Sequence, residues 1–430
     1  MKERSYLELI DILLSQPREQ EINILNAHRE LIDQGFITQL MLVGEQLRQD
    51  NNLSSAERLI NLADKLLRLN INSSSRQYHR EQLKFLIAIL ERVNQQVRLQ
   101  ELFPFIDRHQ DKFDTNFIYL VEYWANETLL SVDGTQAKTI ARDLVNLGNL
   151  LSEYPAGNRA NIIEVIIVGY QAALKVYQLE IYPKHWGIIQ INLANSWRDR
   201  IMGNHDDNLD RAIALYDNAL KIITTQEYPH IWGTLQRNLG IAYSYLNRGN
   251  KTNNLELAIS AYYRALSVHN FDDFPQDWAA SQNNLGDAYL HRLLGDKPEN
   301  IEIAIAHLEK ALTIYSLKNF PHNWAMVQNN LGNAFLSRIK GDRRLNIERA
   351  ISSYQNALSI HTLEKYPRHW AMLNNNLAGA YRYRIKGNKQ TNLQQAIALM
   401  KQSLQVYTQD KFPQQWADVR QNLQKIEGNM

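Results

Sequence analysis

Prolines stand at Pro183, Pro229, Pro275, Pro321, Pro367 and Pro413, and a tryptophan follows each by three residues, at Trp186, Trp232, Trp278, Trp324, Trp370 and Trp416. Each step is 46 residues, and six of the eight tryptophans obey it, so the spacing is not accidental. A fixed period between about 20 and 50 residues is the signature of a solenoid or a repeat array. Such a chain folds as a series of like modules, each burying its apolar face against the next. This one period constrains the fold more than any other feature of the chain.

Residues 275–320 serve as the type module. Pro275 suits the first turn of a helix, where its missing N–H costs nothing. Trp278, Leu285 and Tyr289 share one face at about 100° per residue. They give a first helix, A, with an aromatic stripe toward the core. Gly295 and Asp296 break the pattern, and Asn300 is expected to cap a second helix, B. Ala304, Ile305, Leu308, Ala311, Leu312 and Tyr315 form the apolar face of helix B. Loop glycines recur at Gly203, Gly249, Gly295, Gly341 and Gly387, and the expected cap asparagines at Asn208, Asn254, Asn300, Asn346 and Asn392. Burying one aromatic anchor is worth at most about 4–6 kcal/mol before entropy is subtracted. A lone helix pair cannot realise that gain until a neighbour covers it.

Leu285-Gly286 with Tyr289, the small Ala304 and Ala311 on helix B, and a proline at the exit resemble a tetratricopeptide repeat. The module differs in length, because that family's standard unit has about 34 residues. The 46-residue form with Pro-x-x-Trp and Asn-Leu-Gly resembles the repeat arrays that precede a caspase-like CHAT domain in many cyanobacterial proteins. The resemblance covers 183–427. It implies an all-α solenoid, a right-handed superhelix of 46-residue helix-turn-helix repeats with the A helices lining its concave face. The caspase-like domain itself is missing, and zero cysteines forbid its chemistry.

The period extends back one copy. Asn146-Leu147-Gly148, Gly157, Tyr170, Ala173 and Leu174 all stand 46 residues before their counterparts, with Ala137 and Ile140 in place of the Pro and Trp. Residues 137–182 therefore read as a degenerate repeat, 183–412 as five repeats, and 413–430 as a capping helix with polar Gln421, Asn422, Gln424 and Lys425. Residues 1–136 are aperiodic but helical in pattern, and read as an N-terminal cap continuing the stack. Their expected helices are a stripe of Tyr6, Leu7, Leu9, Ile10, Leu13 and Leu14 ended by Pro17, then 22–32 with Gly35 as a stop, 36–47, 55–69 begun by Ser54 and Ser55, 80–99, and 116–130. Phe103-Pro104 is expected to end the helix before it. The run 9–31, with Ile24-Leu25-Asn26 and Leu31-Ile32-Asp33, resembles the leader of the CHAT-associated proteins.

Residues 1–136 hold 15 Lys+Arg and 20 Asp+Glu, net −5, and the remainder 32 and 25, net +7. Much of the excess gathers at Arg338, Lys340, Arg343, Arg344, Arg382, Arg384, Lys386 and Lys389. A solvated rim explains it, and the alternative is a nucleic-acid-binding edge. The near-balanced total of +2 argues for little non-specific affinity for nucleic acid. No stretch approaches 18 apolar residues, so no membrane span is expected. Glu8 and Asp11 interrupt the first apolar run, which speaks against a secretory signal. With no cysteine there is no thiolate metal site, and a cytoplasmic setting is expected.

The catalytic inventory is empty. No His-x-x-x-His pair, phosphate loop, dinucleotide fingerprint or nucleophile elbow is present. His185, His369, His230 and His322 sit in the first turn of helix A and read as surface. No catalytic residue, metal ligand or cofactor is expected, and the chain reads as a non-enzyme.

One polar row stands out. An asparagine precedes the helix A leucine at Asn146, Asn192, Asn238, Asn284, Asn330, Asn376 and Asn422, six residues after each tryptophan where one exists. That offset lies about 120° from the aromatic stripe, flanking the core. An amide offers donors and an acceptor, so one per module suits the N–H and C=O groups of an extended peptide. The row resembles the asparagine ladder in the repeat array of O-linked N-acetylglucosamine transferase, which implies peptide binding. Packing could equally demand it, each amide bonding the neighbouring repeat. Beside the row lie Arg237, Asn283, Asn329 and Asn375, and, three residues beyond it, Asn195, Ile241, Asp287 and Asn333. Arginines at Arg200, Arg292, Arg338 and Arg384 are expected to pack their stems on the aromatic stripe and bond loop carbonyls. The function implied is a scaffold or adaptor holding a peptide or protein partner in its concave groove. That partner could be a separately encoded effector.

Overall fold

The computed structural model describes residues 2–17, 20–28, 31–32, 34–49, 52–69, 73–95 and 97–428. Among these the chain is all-α, with twenty α-helices, one 3₁₀ turn and no strand. It divides into two compact units: Met1–Arg92 with Asp114–Leu120, and Val93–Phe113 with Val121–Met430.

The first unit holds α1 (Lys2–Ser15), α2 (Glu21–Ala27), α3 (Gln34–Gln49), α4 (Leu53–Leu69) and most of α5 (Ser73–Asn94). Leu9, Ile10 and Leu13 of α1 close on Phe36, Ile37 and Leu40 of α3 and on Leu59 and Leu62 of α4, all buried. The expected stripe is thus the seam of this unit, except for Leu7, which is exposed. Boundaries differ from the sequence reading. The helix placed at 22–32 ends at Ala27, and Gly35 lies inside α3, where a glycine costs only about 1 kcal/mol. Ser54 and Ser55 fall within α4, and the Ser55 N–H meets the Asn52 carbonyl oxygen Oδ1 at 3.5 Å. Asp33 lies outside the described residues.

The second unit begins with α6 (Leu99–Asp107), the 3₁₀ turn Gln110–Lys112 and most of α7 (Thr115–Ser131). Pro104 sits inside α6 instead of ending the helix before it, and α6 stops three residues later. Six hairpins follow: α8 (Gly134–Glu153) with α9 (Arg159–Val176), α10 (Pro183–Arg198) with α11 (His205–Leu220), and α12 (Pro229–Tyr245) with α13 (Lys251–Leu266). Then come α14 (Pro275–His291) with α15 (Lys297–Leu312), α16 (Pro321–Ser337) with α17 (Arg343–Leu358), α18 (Pro367–Arg382) with α19 (Lys389–Ser403), and the single α20 (Pro413–Glu427). Each helix A starts with proline at its first turn from α10 onward. Leu193, Leu239, Leu285, Leu331, Leu377 and Leu423, seven residues after each tryptophan, are all buried.

Helix B begins one turn earlier than its expected cap. The capping side chains are Asn204, Asn250, Asp296, Asp342 and Asn388, directly after glycines with φ near +80°. Only glycine adopts that backbone at no steric cost, so the Gly-Asn/Asp pair both turns the chain and caps the helix. Asn208, Asn254, Asn300, Asn346 and Asn392 lie inside helix B, buried, and turn back to the loop. Asn208 Nδ2 donates to the Met202 carbonyl at 2.8 Å, and Asn300, Asn346 and Asn392 do the same six residues upstream.

Within this unit each helix A touches helix A of the next hairpin, from α8 to α18, as well as its own partner. The B helices make no comparable contact with one another. Side-by-side helices that approach on one face and diverge on the other curve the stack, which puts the A helices on its inner wall.

Candidate functional site

The inner wall carries a cavity of about 400 Å³, lined by Arg198 of α10, Arg237, Asn238 and Ile241 of α12, Asp277, Asn283 and Asn284 of α14, and Asn323 and Met326 of α16, among others. Four residues singled out from sequence, Asn238, Asn284, Arg237 and Asn283, therefore meet in one place. A smaller hollow of about 80 Å³ holds Asn192 with Asn149, Asn195, Tyr170 and Arg159. Most lining positions of helix A fall at one before the tryptophan, then two, five or six, nine and twelve after it. These are the positions a helix turns to one side at 100° per residue.

The asparagine row is built into a network of amides. Asn192 Nδ2 donates to Asn149 Oδ1 at 2.9 Å, and Asn238 Nδ2 to Asn195 Oδ1 at 2.9 Å, each in the preceding repeat. Farther along the register changes. Asn330 Nδ2 donates to Asn283 Oδ1 at 3.1 Å and Asn376 Nδ2 to Asn329 Oδ1 at 3.0 Å. The switch follows the sequence, because Asn283 and Asn329 provide an acceptor just before the row where the earlier repeats lack one. Asn329 Nδ2 also donates to Asn330 Oδ1 at 3.2 Å. The neighbour's side chain, and not its backbone, is thus the partner.

Each bond uses one of the two amide N–H groups. Among the described residues Asn146, Asn284 and Asn422 make no side-chain hydrogen bond. Asn146 is exposed, Asn284 and Asn422 are half-buried, and Asn238 is buried. Asn375 Oδ1 is buried without a hydrogen-bond partner.

Residues beyond the row fill the rest of the wall. Tyr170, Tyr216 and Tyr354, fully buried on the B helices, donate their hydroxyls to Asn149, Asn195 and Asn333 at 2.8, 2.6 and 2.7 Å. Sequence reasoning used Tyr170 only as a marker of the period and did not single out Tyr216 or Tyr354. Their 46-residue recurrence opposite an asparagine was the available signal. Asp287 lies 3.7 Å from His291 and is not among the residues that line the cavity. Burial pushes its carboxyl above the ordinary carboxylate range, and His291 pulls the other way.

Asp277 accepts from Arg237 Nη1 at 2.7 Å and contacts His230 Nε2 at 2.9 Å. Burial alone would raise the Asp277 carboxyl, but His230 and Arg237 together hold it below its usual value.

The arginines expected to bond loop carbonyls bridge repeats instead. Arg200, Arg292, Arg338 and Arg384 each reach, through Nε and Nη2, both oxygens of a glutamate 36 residues earlier: Glu164, Glu256, Glu302 and Glu348. It is the guanidinium carbon, not the stem, that stands over a helix A aromatic ring, with Arg200 4.7 Å from Trp197, Arg292 5.4 Å from Tyr289 and Arg384 5.4 Å from Tyr381. A planar guanidinium matches a carboxylate bidentately, which a carbonyl cannot do. Lys340 pairs with Glu299 at 2.9 Å. Three of the eight cations on the basic rim are thereby neutralised.

No protein-family profile matches the chain, and no curated protein is similar to it. Among solved structures the chain is similar to the APC/C hetero-tetramer Cut9-Hcn1, at 14% identity and a TM-score of 0.41, over 99% of this chain and 83% of that one. It is also similar to the P58(IPK) TPR domain, at 13% identity and a TM-score of 0.27, over 91% and 97%. Likeness at this level adds nothing to the packing described above. The fold is an array of helical hairpins on its own geometry. No helix among the described residues is long and apolar enough to cross a membrane.

Proposed function

We propose that the chain is a non-catalytic protein-binding scaffold that takes an extended segment of a partner protein along the inner wall of its hairpin array. The observation that carries this reading is the 400 Å³ cavity, where two successive A helices contribute Arg237 and Asn238, and Asn283 and Asn284, to one surface. A surface of neutral amides with spare N–H groups suits peptide backbone, whose donors and acceptors alternate. Asn146, Asn192, Asn330, Asn376 and Asn422 continue the same row, with Asn329, Asn375, Asp287 and Asn333 beside it, so contact with a partner would repeat once per module. Residues 1–136 act as a helical cap on this reading, 137–182 as a first degenerate repeat, and α20 as the terminal cover.

The amide network has a second consequence. Because adjacent repeats already share the row, a bound segment would exchange no protein bond that water could not replace, and it meets a wall held in place beforehand. Nucleic acid is a poorer fit, since Arg338, Lys340 and Arg384 of the rim are paired with glutamates. The test is recovery of a partner on wild-type protein and on a variant with Asn238, Asn284 and Asn330 all changed to Ala, followed by affinity measurement with the identified partner. At least a tenfold loss of affinity in a folded variant is expected. Equal affinity refutes the reading.

A further inference from the structure

At the junction between the α12–α13 and α14–α15 hairpins, His230, His269 and Asp277 each offer one ligand atom, all within 4.8 Å of one another. They come from the first turn of α12, the segment after α13 and the first turn of α14, so only the stacking of two modules brings them together. We propose that this junction binds a divalent first-row transition metal of the zinc type, with His230, His269 and Asp277 as its three protein ligands.

Comparison with the other junctions shows how this one is built; a histidine recurs at the position equivalent to His269 only as His361, whose Nε2 lies 3.0 Å from His322 Nδ1 and not on a main-chain carbonyl. The residue equivalent to His269 is Tyr177, Tyr315 or Tyr407 at three other junctions. There the phenol hydroxyl donates to the carbonyl of the residue 39 positions earlier: Tyr315 to Gln276 at 2.8 Å, Tyr407 to Arg368 at 3.4 Å and Tyr177 to Lys138 at 3.5 Å. His269 keeps that bond, with Nε2 3.0 Å from the His230 carbonyl oxygen. A carbonyl only accepts, so Nε2 carries the proton and Nδ1 the lone pair. Nδ1 is buried and has no hydrogen-bond partner, and His269 is 0% exposed. A neutral imidazole whose other nitrogen donates to a main-chain carbonyl is the form that ligates metals, the carbonyl bond fixing tautomer and ring orientation.

Asp277 is prepared in the same way. Its Oδ1 is held by Arg237 at 2.7 Å, while Oδ2 lies 2.9 Å from His230 Nε2. Arg237 orients the carboxylate and leaves one oxygen for a cation. Ligand atoms on a tetrahedral zinc ion with bonds of about 2.0–2.1 Å stand roughly 3.3 Å apart. The His230–Asp277 pair, 2.9 Å apart, needs only a few tenths of an ångström to reach that spacing, whereas ligand atoms up to 4.8 Å apart must draw in by about 1.5 Å, which His230, 48% exposed, has room on its solvent side to do. Two imidazoles and one carboxylate favour zinc, copper or nickel over magnesium or calcium, which prefer all-oxygen shells. Asp277 and Arg237 also line the 400 Å³ cavity. The fourth position therefore opens toward the trough, where water or a donor from a bound segment completes the shell. The inference stands whether or not a peptide occupies that trough.

The test uses tag-free, full-length protein stripped of metal and titrated with zinc chloride against a chromophoric chelator, with magnesium as the control. Wild type is expected to take up zinc with a dissociation constant in the micromolar range or below, unaffected by millimolar magnesium. His269→Tyr installs the residue that three other junctions use to make the same carbonyl bond, so it is chosen to keep that bond and the packing. His230→Gln changes an exposed side chain. Each is expected to weaken zinc at that site at least tenfold while the metal-free melting curve stays near wild type. Failure of wild type to bind zinc, or equal uptake by both variants, overturns the assignment.

Discussion

Gly332→Ala is a sharp probe of how tightly the hairpins close. Gly332 lies in α16, facing α17. A β-carbon there would stand 2.4 Å from Cε1, 2.6 Å from Cδ1 and 2.8 Å from Cζ of the Tyr354 ring. That ring cannot simply withdraw, because Tyr354 is 0% exposed and its hydroxyl is tied to Asn333 at 2.7 Å. Overpacking of this kind costs about 1–3 kcal/mol. Alanine recovers about 1 kcal/mol of helix propensity, so the net loss is roughly 0–2 kcal/mol, nearer the upper end because contacts of 2.4–2.8 Å are severe. The repeat at 183–228 carries Ala194 at the position equivalent to Gly332 and Tyr216 at the position equivalent to Tyr354, both at 0% exposure, so the module tolerates a methyl group there. Gly379→Ala is the matched control. Its nearest atom would be Leu336 Cδ2 at 4.0 Å, so only propensity changes, and a gain of about 0.4–1 kcal/mol is expected. Equilibrium urea unfolding followed by far-ultraviolet circular dichroism separates the two. A Gly332→Ala midpoint at or above wild type would refute the close-packing argument.

Burial holds His361 neutral, down to about 4, and His322 and His369 beside it, with Arg368 near His369, add to the effect. Its folded value is below the unfolded one of about 6.5, so its contribution is complete above about pH 6.5 and is lost as pH falls toward 4. At most about 3 kcal/mol is involved. Melting temperature is expected to fall across that window, and less steeply in His361→Tyr, the residue used at the neighbouring junctions; an identical pH dependence would count against it. The Arg338–Glu302 bridge joins adjacent repeats with both side chains about a quarter exposed. A double-mutant cycle of Arg338→Ala and Glu302→Ala is expected to give a coupling near 1 kcal/mol, shrinking in high salt. Strict additivity of the two changes would remove the bridge from the account.

The array was legible because its period writes itself into residues of fixed role. Pro at the first turn, Leu seven after Trp and Gly in the loop each satisfy a demand local to one module. The face of the asparagine row followed from the same rotation along helix A. What sequence did not give was the pairing between modules. Asn238 meets Asn195, Arg338 meets Glu302, and His230 meets His269 and Asp277 at separations of 36 to 47 residues, which no single-helix pattern displays. The helix B caps were misplaced by one turn because two asparagine or aspartate positions follow the glycine. The nearer one caps, and the farther one, buried, bonds the loop. In residues 1–136, without a period to average over, the ends of α2, α5 and α6 were the least readable; α5 runs Ser73–Asn94 against the expected 80–99.

The most direct test of the scaffold account is photo-crosslinking of an identified partner from two positions. A benzoylphenylalanine at 280, on the cavity wall, is compared with one at 310, on helix B α15. The account predicts adducts with one continuous partner segment from position 280 and none from 310. Adducts from 310 alone, or equally from both, would contradict binding along the inner wall.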